Sequence, residues 1–358
     1  MTDAYAIQPV SDYKDRTIGL VVFGIAQCLL GILSGLVEIL LVVGAAVLAS
    51  SEAGTANGTD MTAMIPGFVM YAIAAVWFIS MGVGSILARR WARALTLVSS
   101  WIWLVMGIVG TLAFMFFVPA LYDDMGAKGQ LPEGAVVLMK VFFMVFMVIV
   151  FVLIPGALIL FYGSRHVKAT CEAKDPKARW TDACPLPVLG LSVWACFIGL
   201  SMLSLGIYRW ALPFFGFIVT GWAGALFAMA VMVSFLYVAW GAYRLNIKAW
   251  WVAMVAVTLL SVSTVVTFYR HNLMDYYQLM GMSPLQLEQV EQMLPQVRKM
   301  ILFYALFPVI WLGYLLYVRK YFVHAIASPT SGSGGLLSGV DIDNNAALLD
   351  RMDEGRKF

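Results

Sequence analysis

A chain of 358 residues in which 62% of side chains are hydrophobic, 12% are charged and the net charge is +3 lies outside the range of ordinary soluble domains, where about 45–50% and about 25% are usual. Several uncharged apolar runs exceed the ~18 residues that cross a bilayer as a helix, and they are continuous instead of alternating. The composition therefore excludes a soluble domain and argues for a helical bundle over an outer-membrane barrel. The small positive balance sits beside the apolar runs as an orientation signal and leaves no basic surface suited to nucleic acid.

Residues 1–17 carry mixed charge and precede an apolar run from Ile18 to Ala49. That run is much longer than the apolar core of a signal peptide, so a retained first span is expected. Within it Gly24, Gln27 or Cys28, Gly31, Ser34 or Gly35, and Glu38 recur every three or four residues and share one helix face, which should bury against another helix. Eight spans are predicted, at about 18–49, 66–88, 94–121, 135–163, 187–208, 213–243, 249–270 and 299–322. Connections on one side of this arrangement, with the termini, hold 17 Lys and Arg, and those on the other side hold 6. Both termini should then be cytoplasmic, in a membrane of the bacterial inner type.

The fifth span echoes the first. Leu189-Gly-Leu-Ser-Val-Trp-Ala-Cys resembles Ile18-Gly-Leu-Val-Val-Phe-Gly-Ile at an offset of 171, with Gly199 and Gly206 continuing the small-residue stripe. Arg90 and Arg93 pair with Arg244 and Lys248, Tyr122-Asp-Asp-Met-Gly with Tyr277-Gln-Leu-Met-Gly, and Pro155 with Pro308. The order of these landmarks predicts an all-α membrane protein of eight transmembrane helices arranged as two tandem parallel four-helix repeats. The expected organisation is a cytoplasmic tail (1–17), a first repeat (18–164), a charged cytoplasmic loop (165–186), a second repeat (187–323) and a disordered cytoplasmic tail (324–358). The segment between spans one and two, which contains Asn57-Gly-Thr, reads as a flexible outer loop, and Ser283 reads as the N-cap of a short surface helix before span eight.

Few residues carry chemistry. Glu38 is the ionisable residue placed inside a span, near its outer end. At the offset of 171 it falls on Arg209, which suggests an inter-repeat ion pair fixing register; the plainer reading is a carboxylate that reaches outer water. Pro155 and Pro308 each remove a backbone hydrogen bond and could form matched hinges, or simply shape their helices. His166, Cys171 and Cys184, with Asp175 or Asp182, lack the paired spacing of a zinc signature, so no metal and no cofactor is expected. Arg89, Arg90 and Arg93 at an inner helix end are explained by topology without a lipid site. The Asp341-Ile-Asp-Asn-Asn segment lacks the Gly and Glu of a calcium loop.

No catalytic constellation can be assembled, and no enzyme activity is expected. The first functional reading is a non-catalytic membrane scaffold in contact with the lipid bilayer, whose charged loop and C-terminal tail engage protein partners. The alternative is a transporter of a small or lipophilic solute with its site at the interface of the two repeats.

Overall fold

The computed structural model describes residues 13–50, 65–127, 132–282 and 284–327. The segment 51–64, residues 128–131, Ser283 and the tail from residue 328 onward, and with them the expectations for Asn57, the Ser283 cap and the acidic tail, lie outside the described residues. The described residues up to Phe322 cluster as one compact unit.

Helix α1 (Thr17–Ser50) begins where the Asp15 carboxylate accepts the Thr17 N–H at 2.9 Å and its hydroxyl at 2.6 Å. It packs along α2 (Ile65–Ile86) with the two backbones in contact. A Cβ on Gly24 would lie 2.8 Å from the Gly82 carbonyl, and one on Gly31 would lie 2.9 Å from the Ala75 carbonyl and the Ile79 nitrogen. Only glycine permits this approach, which turns the stripe into a packing seam. Ser85 Oγ closes the seam by donating to the Leu20 carbonyl at 3.1 Å.

At the end of α2 the chain turns through Ala88 (φ 49°). The Ala88 N–H donates to Ser85 and the Arg89 N–H to Gly84, at 2.9 and 2.8 Å. These bonds satisfy the last carbonyls of the helix in the Schellman pattern. Helix α3 (Arg90–Ala127) follows at once. Helix α4 (Glu133–Val148) passes through a π-helical turn (Ile149–Leu153) into α5 (Ile154–Gly163). Pro155 lies in the first turn of α5, and the widened turn before it accommodates a residue with no N–H to give.

The connection expected as a charged loop is folded. Ser164 caps α6 (Arg165–Lys174) by accepting from His166 N–H, and a 3₁₀ turn (Trp180–Asp182) follows. Helix α7 (Leu186–Ser201) tightens into a 3₁₀ segment (Met202–Tyr208) and ends with Arg209 and Trp210 in the left-handed region (φ 54° and 56°). Strands β1 (Leu212–Phe214) and β2 (Phe217–Val219) then form an antiparallel hairpin around Phe215 and Gly216. The sixth span, predicted from residue 213, therefore starts only at α8 (Gly221–Tyr243). Pro213 lacks a donor, Gly216 and Gly221 have positive φ, and the aromatic and β-branched residues between them favour strand.

The end of α8 turns through Leu245 (φ 54°), with Leu245 N–H donating to Ala242 and Asn246 N–H to Gly241, both at 2.8 Å. Asn246 then caps α9 (Ile247–Arg270) by accepting from Lys248 N–H. Helix α7 packs on α8 through Gly199, where a Cβ would meet the Met232 carbonyl at 3.2 Å and Leu236 at 3.3 Å, and through Ser192 Oγ, which donates to the Ala239 carbonyl at 2.6 Å. A short α10 (Leu273–Leu279) precedes α11 (Pro284–Ala327). The surface helix and eighth span expected as separate elements are one continuous helix.

Eight helical segments among the described residues are long and apolar enough to cross a membrane. The class is an all-α, multi-pass membrane protein. Apolar side chains left outward, such as Ile18, Leu40, Leu138, Leu160 and Trp222, form the surface such a chain presents to lipid. One core cluster joins Leu189, Trp250, Leu315 and Phe322, and a second joins Leu20, Tyr162, Val167 and Cys171.

Candidate functional site

The small-residue stripe is occupied by packing. Gly24 and Gly31 face α2, a Cβ on Gly35 would lie 3.9 Å from the Ala75 side chain, Ser34 Oγ donates to the Leu30 carbonyl of its own helix, Gly199 faces α8, and Gly206 lies under the Trp210 ring. Gln27 is 2% exposed, and its Oε1 has no hydrogen-bond partner among the described residues. Gly24, Gly31 and Gly199 thus each face the next helix in sequence. The ion pair expected between Glu38 and Arg209 is not among the salt bridges of the described residues. Glu38 is half-buried on α1, and the left-handed backbone at Arg209 aims its guanidinium at Gly281, where a Cβ would lie 2.5 Å from Nε. Pro155 follows a π turn, whereas α11 runs through Pro308 as uninterrupted α-helix.

The folded connection and the α2–α3 corner build a charged clamp. Asp175, its side chain 3% exposed, accepts from Arg179 Nη2 at 2.7 Å and Nε at 2.9 Å and from the Arg90 backbone at 3.3 Å, with Arg89 at 3.7 Å. Arg90 also reaches Glu172 at 3.3 Å and Asp182 at 3.4 Å. The hydrogen bond from Arg179 holds the Asp175 carboxyl below the usual carboxylate range. Burial pushes the Cys171 thiol up to about 11 and the Cys184 thiol up to about 12, which makes both poor nucleophiles. His166 Nδ1 accepts from the Lys14 N–H. Among the described residues, no group of three His, Cys, Asp or Glu is placed to hold a metal ion. The clamp ties the α2–α3 corner to the connection.

A concave feature lies elsewhere. A pocket of about 550 Å³ lies between α3, α7 and α11, walled by Trp101 and Val105, by Gly190 and Trp194, and by Trp311 and Tyr314, with further aliphatic and aromatic side chains. Bulky rings hold α11 away from the body. Trp311 stacks on Trp194 (centroids 5.6 Å, 14° between planes), Trp194 stacks on Phe197 (5.6 Å, 21°), and Tyr314 meets Trp311 edge-on. Tyr314 OH donates to the Pro187 carbonyl and Trp250 Nε1 to the Leu315 carbonyl, so the helix is anchored near its C-terminal end by two hydrogen bonds to backbone oxygen. Gly190 leaves the room: a Cβ there would lie 2.9 Å from the Tyr314 hydroxyl. No charged side chain is among the described residues that line the pocket. Trp194 Nε1 is buried and has no hydrogen-bond partner among the described residues. A site of this size and lining accepts an uncharged, largely apolar molecule.

The sequence reading missed this pocket because it weighed small and ionisable residues. The available signal was aromatic: Trp101, Trp194 and Trp311 each fall inside a different predicted span. Comparison with protein-family models, with curated proteins and with solved structures gives no match.

Proposed function

We propose that the chain is a non-catalytic membrane protein made of two tandem four-helix halves running the same way through the bilayer, and that it holds an uncharged lipophilic molecule where the halves meet. The pocket carries this reading, since α3 belongs to the first half and α7 and α11 to the second.

The duplication is supported by contacts that recur at fixed offsets. Gly31 sits against the Ala75 carbonyl and Ile79, and Gly199 sits against the Met232 carbonyl and Leu236. Gly24 sits against the Gly82 carbonyl, and the Ser192 hydroxyl binds the Ala239 carbonyl. The left-handed corners at Ala88 and Leu245 carry the same pair of backbone bonds. Arg93 Nε donates to the Tyr162 carbonyl at 3.1 Å, and Trp250 Nε1 donates to the Leu315 carbonyl at 2.7 Å. The offsets are 168 for the first helices (31 to 199), 157 for the second and third (88 to 245) and 153 for the fourth (162 to 315), the last also relating Pro155 to Pro308. At 168, Glu38 corresponds to Gly206 and not to Arg209, so these contacts favour a register three residues from 171. An even number of spans per half makes the copies parallel, with a pseudo-two-fold axis along the membrane normal.

The clamp face, rich in Lys and Arg, is assigned to the cytoplasm of a bacterial-type inner membrane. A second reading, movement of the same lipophile between leaflets, is favoured by the parallel halves. The test is photolabelling in nanodiscs with a decyl chain bearing an aryl diazirine. Adducts on Trp194, Trp311 and their neighbours, lost in Val105→Trp and Ile310→Trp, support the pocket. Adducts spread evenly over outward-facing residues and indifferent to both variants refute it.

A further inference from the structure

We infer that the α8–α9 corner is a binding site for the phosphate of an anionic phospholipid in the leaflet on the clamp side, held by Arg244 and Arg319 with Lys248 beside them.

Two corners of the bundle share a backbone and differ in charge. The α2–α3 corner turns through Ala88 and the α8–α9 corner through Leu245, with the same pair of closing N–H bonds. At the first, the Arg89 and Arg90 side chains reach Asp175, Glu172 and Asp182, and Arg93 Nε reaches the Tyr162 carbonyl. At the second, Arg244, Lys248 and Arg319 are exposed, and none is in an ion pair among the described residues. The sequence gives the reason. No Asp or Glu occurs between Asp182 and Asp275, so neither α8 nor α9 carries a carboxylate, and Glu288 and Glu291 lie near the opposite end of α11 from Arg319. Asp182 is already engaged by Arg90 and by the Arg179 N–H. Topology explains why basic residues gather at this end of the spans. It does not explain why they are paired at one corner and unpaired at the other.

The geometry fits an oxyanion brought from outside. Tyr243 OH donates to the Trp180 carbonyl at 3.0 Å, which puts the corner on the clamp side. Lys248 lies in the first turn of α9, and the Arg319 guanidinium lies 5.4 Å from the ring of Trp250, two residues further on. The Arg244 guanidinium lies 4.4 Å from the Trp240 ring. A ring attracts a cation but offers no oxygen lone pair, so both guanidiniums keep N–H groups to donate. Trp240 and Trp251, 58% and 55% exposed, flank the corner as interfacial side chains do, which sets these donors at headgroup level. A phosphodiester there presents oxygens that a guanidinium binds two at a time, and its charge replaces the carboxylates this corner lacks. In a zwitterionic lipid the neighbouring ammonium cancels that charge.

The experiment is native mass spectrometry of the purified full chain in detergent, titrated with phosphatidylglycerol or with phosphatidylcholine of the same acyl chains. The expected result is that phosphatidylglycerol binds about tenfold more tightly or better. Arg244→Gln and Arg319→Gln should each weaken it about fivefold, the worth of one basic side chain at an anionic surface, and leave phosphatidylcholine unchanged. Arg209→Gln, which removes the same charge just beyond the far end of the α7 span, should leave both lipids within about twofold. Equal binding of the two lipids overturns the inference. A loss in Arg209→Gln equal to that at the corner also overturns it, since the attraction is then to net charge. Inorganic phosphate, added against chloride at equal ionic strength, should leave phosphatidylglycerol bound; displacement would assign the corner to a soluble phosphate and overturn the lipid source. The chain's own acidic tail is the remaining anion. Neutralising it in the full chain (Asp341→Asn, Asp343→Asn, Asp350→Asn, Asp353→Asn, Glu354→Gln) should leave phosphatidylglycerol binding unchanged, and a rise of about fivefold or more would seat the tail on the corner and overturn the inference.

Discussion

Asp175→Asn should loosen the folded connection between α5 and α7, and the size of the effect follows from its contacts. The carboxylate takes three close N–H···O contacts from Arg179, at 2.7, 2.9 and 3.2 Å, and one from the Arg90 backbone. A hydrogen bond to a charged partner is worth about 1.5–3 kcal/mol net. The Arg179 and Arg89 side chains are 34% and 41% exposed, so water screens much of the charge and the loss should be about 2 kcal/mol instead of a multiple of that figure. Cys171 reports it, because the Asp175 N–H closes the last turn of α6 on the Cys171 carbonyl at 2.8 Å. In a Cys28→Ala, Cys196→Ala background, about 2 kcal/mol of easier local opening raises maleimide labelling of Cys171 about 30-fold at fixed pH. Cys184, which packs in the other core cluster, is the internal reference. Labelling of Cys171 within about twofold of the parent would refute the clamp.

The pH dependence has a definite sign. The Asp175 carboxyl is lowered in the folded protein, so its stabilisation is full above the unfolded value of about 3.9 and is lost as pH falls through the lower folded value. The difference in thermal stability between the native protein and Asp175→Asn should hold from pH 8 to pH 5 and close below about pH 4. A difference that widens on acidification contradicts the assignment.

Other substitutions separate the remaining contacts. Gly31→Ala places a methyl against the Ala75 carbonyl and Ile79 nitrogen, both backbone and both at 2.9 Å, and should cost about 1–3 kcal/mol. Gly199→Ala, at 3.2 Å from a carbonyl, should be near neutral, and melting temperatures in the reverse order would contradict the seam. Ser263→Ala strands the Phe215 N–H and the Pro213 carbonyl, and Thr267→Val strands the Gly216 N–H. Each should cost about 1–3 kcal/mol and expose the hairpin to chymotrypsin; unchanged cleavage would mean that the hairpin does not lean on α9. Trp250→Phe keeps the ring but removes the bond to Leu315. It should lower stability by about 0.5–1.5 kcal/mol in thermal unfolding, and an unchanged melting temperature would show that the bond does not hold α11.

The spans were legible because hydropathy is a property of the segment and not of its neighbours, and the packing seam was legible because glycine spacing marks one helix face. Which partner that face meets was not. Period alone cannot distinguish the adjacent helix from a distant one, so Glu38 was set against Arg209, whereas Gly31 and Gly199 each face the next helix in sequence. The same limit applies to the offset between the first and fifth spans. Offsets of 171 and 168 differ by nearly one helical turn and both align small residues with small residues, so only contacts such as Gly31 with Ala75 and Gly199 with Met232 favour the second under the proposed duplication. The hairpin at 212–219 was hidden by its own apolarity. Leu-Pro-Phe-Phe-Gly-Phe-Ile-Val continues a hydrophobic run, and the hydroxyls that satisfy its backbone, on Ser263 and Thr267, arrive from a helix some 50 positions later. The pocket depends on the same kind of long-range fact. Rings on α7 and α11 meet only because Trp250 and Tyr314 bind carbonyls that set where α11 stands, and what α11 then leaves open is a matter of the space between helices, which no single helix encodes.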